Sequence, residues 1–128
     1  MRIAHTMIRV KDINKSLKFY TEVIGLKKTK EMELKTATLY FVGDEKGCCA
    51  IELTYNHELP EGGYSQGNYF GHLAFETDDL DKFTEKLKTF GMDYARQPFL
   101  IKESGPKIAF LEDPDGFCIE IIERKELL

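Results

Sequence analysis

Apolar residues recur at helical spacing in two stretches of the chain. Those of the first stretch are Ile13, Leu17, Tyr20 and Ile24, and those of the second are Leu80, Phe83, Leu87 and Phe90. Steps of three and four residues place apolar side chains on one face of an α-helix. The pattern therefore predicts two amphipathic helices, each with one buried face.

Residues that begin and end helices flank both stretches. Asp12 precedes the first stretch, and Asp78 or Asp79 precedes the second, where an aspartate accepts hydrogen bonds from free backbone N–H groups. Gly25 and Gly91 follow the last apolar residues, where a left-handed cap favours glycine. Both ends of both predicted helices are thus specified.

The same succession of elements surrounds each helix. An apolar strand pattern comes first, as IAHTMIRV or GHLAFET, and strand-like stretches with a polar turn follow, as LYFVGDEKGCCAIEL or AFLEDPDGFCIEI. Turn residues between two apolar runs indicate paired strands. Each half therefore predicts a βαβββ module.

The two modules form a pseudo-repeat of residues 1–55 and 71–124, joined by a polar, glycine-containing linker at 56–70. A repeat of this size cannot close its own core, so the modules are expected to pair. We predict one domain over residues 1–128, in the α+β class. Its two tandem βαβββ modules would form a curved mixed sheet with the helices outside and a concave inner face.

Composition narrows the class of partner. The 128 residues are 42% hydrophobic and 31% charged, which suits one compact soluble domain. A net charge of −4 argues against nucleic acid, whose binding draws on clustered Lys and Arg. Small molecules are the expected partners.

The chain shows no targeting or membrane segment. No basic stretch precedes an apolar run at the N-terminus, and no run approaches the length that spans a bilayer. Cys48, Cys49 and Cys118 match neither a disulfide framework nor a CxxC zinc site, so we expect reduced core cysteines. The predicted location is cytoplasmic, with no membrane partner.

Two His-to-Glu pairs occupy equivalent points of the repeat. His5 lies 47 residues before Glu52, and His72 lies 48 residues before Glu120. Taken singly, each His could be a hydrogen-bonded structural residue and each Glu an exposed edge residue. A buried unpaired carboxylate is costly, however, and finding one at both matching positions favours a metal site on the concave face.

The donor set admits several ions and leaves the site open. Imidazole and carboxylate suit Ni, Co, Mn, Fe and Zn alike, and two carboxylates neutralise a divalent charge. Four protein ligands around an octahedral ion leave two positions for water or substrate oxygens. An open site predicts catalysis.

The segments HTMIRV, FYTEVIGL, IELTYN, GHLAF and EDPDGFCIEI resemble those of the glyoxalase I family of the vicinal oxygen chelate superfamily, and the likeness covers essentially the whole chain. The resemblance implies that the metal ligands are His5, Glu52, His72 and Glu120. It also implies one divalent ion per site. A His at the first ligand position and a short chain resemble the compact bacterial members, which favour nickel or cobalt, with zinc or manganese as alternatives.

The resemblance further implies a lyase reaction. The family isomerises the hemithioacetal of methylglyoxal and glutathione to S-D-lactoylglutathione, which detoxifies methylglyoxal. A carboxylate would remove the weakly acidic C–H proton and return it to the neighbouring carbon as general base and then general acid. Glu120 is the first choice for this catalytic role, and Glu52 is the second.

Glutathione carries two carboxylates and an ammonium, so its site should present cations and amides. By resemblance, Arg9 and Asn56 match positions that contact the γ-glutamyl end. Asn68 stands where some relatives have an Arg for the glycyl carboxylate, and Lys107 or Lys102 are substitutes for that contact. A homodimer is expected, with the site formed within one chain or across two.

Other functions remain open at this point. The superfamily also includes extradiol dioxygenases, epimerases and thiol transferases, and a fold does not decide among them. Glu52 argues against the ring-cleaving members, which resemble a site with two His and one carboxylate. A small-molecule binding protein is the non-enzymatic alternative, against which the retention of all four ligands speaks.

Overall fold

A computed structural model describes residues 1–125, which form eight strands and two helices in two compact units. The first unit is Met1–Gln66, and the second begins at Gly67. Elements of the first are β1 (His5–Arg9), α1 (Ile13–Lys18, continued by a π-helical turn at Phe19–Val23), β2 (Lys27–Glu33), β3 (Ala37–Gly43) and β4 (Ala50–Asn56). Elements of the second are β5 (Leu73–Thr77), α2 (Leu80–Thr89), β6 (Arg96–Leu100), β7 (Lys107–Glu112) and β8 (Cys118–Glu123). Both follow the order βαβββ.

Each unit contains one four-stranded mixed sheet with the same topology. The strand order is β1-β4-β3-β2 in the first unit and β5-β8-β7-β6 in the second. The first strand of each unit pairs in parallel with the last, and the remaining neighbours are antiparallel. The predicted α+β class and the two modules are confirmed. The single-domain prediction stays a prediction, and the boundary between the units falls inside the predicted linker.

The helix termini form as predicted. The side chain of Asp12 accepts a hydrogen bond from the Lys15 N–H at 3.1 Å. Asp79, the second of the two candidate caps, accepts one from the Lys82 N–H at 2.9 Å. Both helices are therefore capped by aspartate at their N-terminal ends.

The C-terminal ends use glycine. Gly25 and Gly91 adopt φ angles of 96° and 67°, a left-handed conformation that side chains with a Cβ avoid. The predicted glycine caps are confirmed in both units.

The buried stripe of the first helix departs from the predicted one. Tyr20 is fully buried, but Ile13, Leu17 and Ile24 are only half-buried. Ser16, Phe19 and Val23 are buried instead. The buried face is thus shifted by one residue, and the shift begins at Ser16, ahead of the π-helical turn. Within that turn the Ile24 N–H donates to the Phe19 carbonyl five residues back.

The second helix keeps the predicted face. Leu80 and Leu87 are buried, and Phe83 and Phe90 are half-buried. No helix in residues 1–125 is long and apolar enough to cross a membrane.

The expectation of core cysteines is wrong for two of the three. Cys48 and Cys49 are exposed because they lie in the turn segment ahead of β4, outside the alternating part of the strand. Cys118 is half-buried at the start of β8. Burial, together with the negative charges of Glu112 and Glu120, raises the pKa of the Cys118 thiol, so it stays protonated at neutral pH.

Glu123 links the end of β8 to the start of α2. Its carboxylate accepts a hydrogen bond from the Leu80 N–H at 2.8 Å, and this bond lowers the pKa of Glu123 below its ordinary value of 4.5. A negative charge at a helix N-terminus also interacts favourably with the helix dipole. The interaction therefore orients the helix on the face of the sheet that bears Glu123.

Glu123→Gln is expected to lower the melting temperature by about 2 °C at neutral pH. Because the folded pKa is lowered, the stabilisation is fully present above pH 4.5 and is lost as pH falls through the lowered folded value. Thermal melts at neutral and acid pH measure this, with Glu103→Gln in an exposed loop as the control. A difference between Glu123→Gln and wild type that persists unchanged at acid pH would contradict the assignment.

Candidate metal centre

The first unit places His5 and Glu52 on one face of its sheet. Glu52 lies opposite Met7 on β1, two residues after His5 on the same strand, so all three share a face. The other face bears Ile8 and Leu53, which are buried. The face with Glu52 is the more open one, and we call it the ligand face of the first unit.

Glu52 is a buried carboxylate with two partners. Its Oε1 atom lies 3.5 Å from the Nε2 atom of His5, and its Oε2 accepts a 2.7 Å hydrogen bond from the Thr54 hydroxyl. The Glu52 side chain is 12% exposed and that of His5 is 40% exposed. A carboxylate with little access to water thus faces an imidazole that is open to solvent.

The second unit repeats this pair. Glu120 lies opposite Ala74 on β5, two residues after His72, and its Oε2 atom is 2.9 Å from the Nε2 atom of His72. The Glu120 side chain is also 12% exposed. Glu123, which bonds to the start of α2, has the opposite parity on β8. Glu120 therefore lies on the face of its sheet away from the helix, the ligand face of the second unit.

A phenylalanine supports each imidazole from the third strand. Phe41 lies opposite Glu52, and Phe110 lies opposite Glu120. His5 and Phe41 make an edge-to-face contact with ring centroids 5.4 Å apart, and His72 and Phe110 make the equivalent contact at 5.9 Å. These two rings were not predicted from the sequence. An alignment of the two repeats at their turns does pair Phe41 with Phe110.

The donor chemistry of both pairs fits a divalent ion. Each unit offers one imidazole nitrogen and one buried carboxylate oxygen, donors that intermediate transition metals accept. Burying a carboxylate without a full-strength cationic partner is costly, and a bound divalent ion would offset that cost. No group of three or more His, Cys, Asp or Glu donors is present within residues 1–125. We refer to each of these His–Glu pairs as a half-site.

The two half-sites differ in how firmly the carboxylate is held. Thr54 donates its hydroxyl to Glu52, but the matching position two residues after Glu120 is Ile122, which has no hydroxyl. Among the described residues His72 is the side chain that contacts the Glu120 carboxylate. Glu120 therefore has the freer carboxylate.

Arg9 and Asn56 lie on the ligand face of the first unit. Arg9 is exposed at the end of β1, opposite Thr54, and Asn56 ends β4 with the parity of Glu52. The Tyr64 hydroxyl donates a 2.9 Å hydrogen bond to the Asn56 side-chain oxygen. Asn56 is thereby oriented by a residue that sequence reasoning did not single out.

A cavity of about 350 Å³ adjoins Asn56 in this unit. Its remaining lining residues are Lys35, Thr36, His57 and Glu58. All five lining residues have polar or charged side chains and the cavity is open to one side, so it has room for a charged group next to the Asn56 amide.

Asn68 and Lys107 occupy positions that give less support to a binding role. Asn68 is exposed in the segment ahead of β5. The Lys107 ammonium lies 3.9 Å from Asp81 in the first turn of α2, and its charge also lowers the pKa of Glu123. Lys107 therefore points to the helix side of its sheet, opposite the ligand face.

Comparison with known proteins gives one family. Residues 2–121 match the model of the Glyoxalase/Bleomycin resistance protein/Dioxygenase superfamily. A probable lactoylglutathione lyase of Vibrio parahaemolyticus is 43% identical over 98% of this chain and 92% of its own length. A lactoylglutathione lyase of Neisseria meningitidis is 41% identical with the same two coverages.

Solved structures agree with the sequence comparisons. Glyoxalase I from Zea mays superposes with a TM-score of 0.86 at 36% identity, over 98% of this chain. The chain spans 45% of the length of that maize protein.

Proposed function

Because this chain belongs to the Glyoxalase/Bleomycin resistance protein/Dioxygenase superfamily, we propose that it is a lactoylglutathione lyase. Its reaction is the isomerisation of the hemithioacetal of methylglyoxal and glutathione to S-D-lactoylglutathione. The observation that supports this most is the repetition of the buried Glu beside an imidazole at the same register in both sheets. Relatives above 40% identity over nearly the whole chain have this activity in their names.

The proposed metal ligands are His5, Glu52, His72 and Glu120, which together bind one divalent ion. Nickel or cobalt is favoured, and zinc or manganese also suits two nitrogen and two oxygen donors. When bound, such an ion supplies Lewis acidity to the two oxygens of the substrate.

Proton transfer is assigned to the carboxylates. Glu120 removes the proton from the carbon next to the carbonyl and returns it to the adjacent carbon. The freer carboxylate of Glu120 suits this movement, since the Thr54 hydroxyl holds one oxygen of Glu52 in place by a hydrogen bond and Glu120 has no such bond among the described residues. Glu52, which Thr54 holds, has the second catalytic role and is the more rigid ligand.

Substrate binding is assigned to polar residues beside the half-sites. Arg9 and Asn56 bind the γ-glutamyl end of glutathione. The Arg9 guanidinium donates hydrogen bonds to the carboxylate, and the Asn56 amide can bond to the carboxylate or to the ammonium. The Tyr64 hydroxyl supports this by orienting Asn56. Asn68 and Lys107 were the predicted contacts of the glycyl carboxylate, and the contact of Lys107 with Asp81 leaves that part of the proposal weaker.

The proposal includes a homodimer in the cytoplasm. In a dimer, the two His–Glu pairs that bind one ion could come from two different chains. They could also come from the same chain. The cytoplasm is where low-molecular-weight thiols are kept reduced, as the substrate requires.

The test follows thioester formation from methylglyoxal and glutathione in the presence of each of the four metals. Appearance of S-D-lactoylglutathione is the expected result. Parallel reactions offer a catechol and an epoxide antibiotic with thiol, which report ring cleavage and thiol transfer. Turnover of one of these without any thioester formation would reject the lyase in favour of a different superfamily enzyme.

A further inference from the structure

Two adjacent cysteines are exposed in the turn that joins β3 to β4 of the first unit. Cysteine is among the residue types most often found buried, and an exposed free thiol is open to modification. Cys48 and Cys49 are both exposed, and both are free thiols. Cys118, in the second unit, is half-buried. The turn therefore presents two thiols to solvent side by side.

Asp44 orders the turn that carries this thiol pair. Its side chain accepts a 2.8 Å hydrogen bond from the Gly47 N–H, and its carbonyl accepts the same N–H at 3.2 Å. Gly47 has a φ angle of 63°, in the left-handed region that glycine adopts without strain. β4 begins at Ala50, directly after Cys49. The backbone is thus defined on both sides of the pair.

The contacts of both sulfur atoms are weak. The Sγ atom of Cys48 lies 3.8 Å from the Lys46 carbonyl oxygen, and the Sγ atom of Cys49 lies 3.8 Å from that of Ala50. S–H···O contacts are second-order contributions to stability. Both sulfur atoms can therefore turn toward a common ligand at little cost.

The spacing of the two residues disfavours a disulfide between them. Consecutive Cα atoms lie about 3.8 Å apart across a trans peptide bond, whereas the Cα atoms of a disulfide usually lie about 4.4 to 6.8 Å apart. A direct S–S bond would close a small ring around a planar peptide, and strained disulfides are readily reduced. An atom inserted between the two sulfur atoms widens that ring and relieves the strain.

Trivalent arsenic suits such a pair better than a soft metal ion does. Its lone pair makes it pyramidal, so it holds two sulfur atoms close together on one side. Two-coordinate copper(I) needs its sulfur atoms on opposite sides, and structural zinc needs four donors. Within residues 1–125 no group of three or more His, Cys, Asp or Glu donors is present to complete a metal site. A two-thiol ligand set therefore favours arsenic.

We propose that Cys48 and Cys49 form a binding site for trivalent arsenicals, an inference that goes beyond the proposed function and does not depend on it. Thiolates are soft ligands and bind soft centres. Each thiol replaces one hydroxyl of an organoarsenic R–As(OH)2, so two As–S bonds form and two As–O bonds break. Each thiol proton leaves with a hydroxyl as water. Arsenic stays trivalent, and no oxidant or reductant is required.

The second thiol is what makes the capture durable. Once the first As–S bond has formed, the neighbouring thiol reacts within the same molecule, at a high effective concentration. Two linked contacts can exceed the affinity of either one by roughly 10² to 10⁴-fold. A monothiol such as glutathione is therefore expected to compete poorly for the arsenic, and a dithiol to compete well.

The test adds phenylarsine oxide to the reduced, metal-loaded protein and measures bound arsenic by intact-mass spectrometry and titration. Wild type is expected to bind one phenylarsenic group per chain, to keep it in excess glutathione, and to release it to a dithiol. Cys48→Ser and Cys49→Ser should each bind roughly 100-fold more weakly or worse. Cys118→Ser is the control and should bind like wild type. Because Cys48 and Cys49 are exposed, their serine variants should melt like wild type.

Two results would overturn the proposal. Tight binding by either Cys48→Ser or Cys49→Ser, or its loss in Cys118→Ser, would place the arsenic elsewhere. Closure of the pair to a disulfide by oxidised glutathione, with no capture of arsenic by the reduced protein, would identify a redox pair instead. Neither result bears on the lyase, because its activity is measured without arsenical.

Discussion

Glu120→Gln is expected to lower kcat by roughly 10² to 10⁴-fold, the usual contribution of a positioned acid or base. Glutamine keeps the size of the side chain and an oxygen for the ion, but it cannot accept the substrate proton. Among the described residues the polar contact of the Glu120 carboxylate is with His72, and glutamine has nearly the same size, so the fold should survive the change. Steady-state kinetics at saturating metal measures the effect, with metal content determined on the same sample.

Two further variants test whether the loss of kcat is specific to Glu120. Glu52→Gln should be less damaging than Glu120→Gln with this substrate, because Thr54 already holds one oxygen of Glu52. Glu85→Gln, on the exposed side of α2, should leave kcat unchanged. Turnover by Glu120→Gln close to that of wild type, with metal bound, would refute the role of Glu120 in moving the proton.

Removing the metal with a chelator is expected to reduce turnover by roughly a thousandfold or more, since a Lewis acid contributes several kcal/mol to this kind of step. The melting temperature should fall as well, because the ion binds the folded chain and offsets the charge of two buried carboxylates. Nickel or cobalt should restore both properties. Activity and thermal melts on the same stripped sample measure the two effects together.

Magnesium is the informative control for this experiment. It binds oxygen ligands and retains its waters, so a site with two imidazoles should take it poorly. Full activity in the stripped protein without added metal would contradict a metal-dependent mechanism. Full recovery with magnesium would contradict the participation of the His residues.

Much of the fold was predictable because the spacing of hydrophobic residues differs between strands and helices, and because capping residues mark where each helix begins and ends. The aspartate and glycine caps of both helices were identified from sequence and are present. The buried face of α1 was not, because it includes Ser16, a polar residue that hydrophobic spacing does not mark. The exposure of Cys48 and Cys49 was also missed, since they directly precede an apolar strand whose start could not be placed.

The half-sites were predictable from repeat position and strand parity, and the surrounding residues were not. Register places His5 on the face of Glu52, as parity required. Lys107 was a candidate for the substrate because its loop is polar, but the structure includes it in β7 and turns it toward α2.

The central claim is that the two His–Glu pairs serve one ion. Titration of stripped protein with cobalt, followed by its visible absorption, measures the number of ions per chain in wild type, His5→Ala and His72→Ala. We expect one ion per chain in wild type, and loss of tight binding in both variants, because each removes a ligand of the same ion. Two ions per chain in wild type, with one retained in each variant, would contradict the claim.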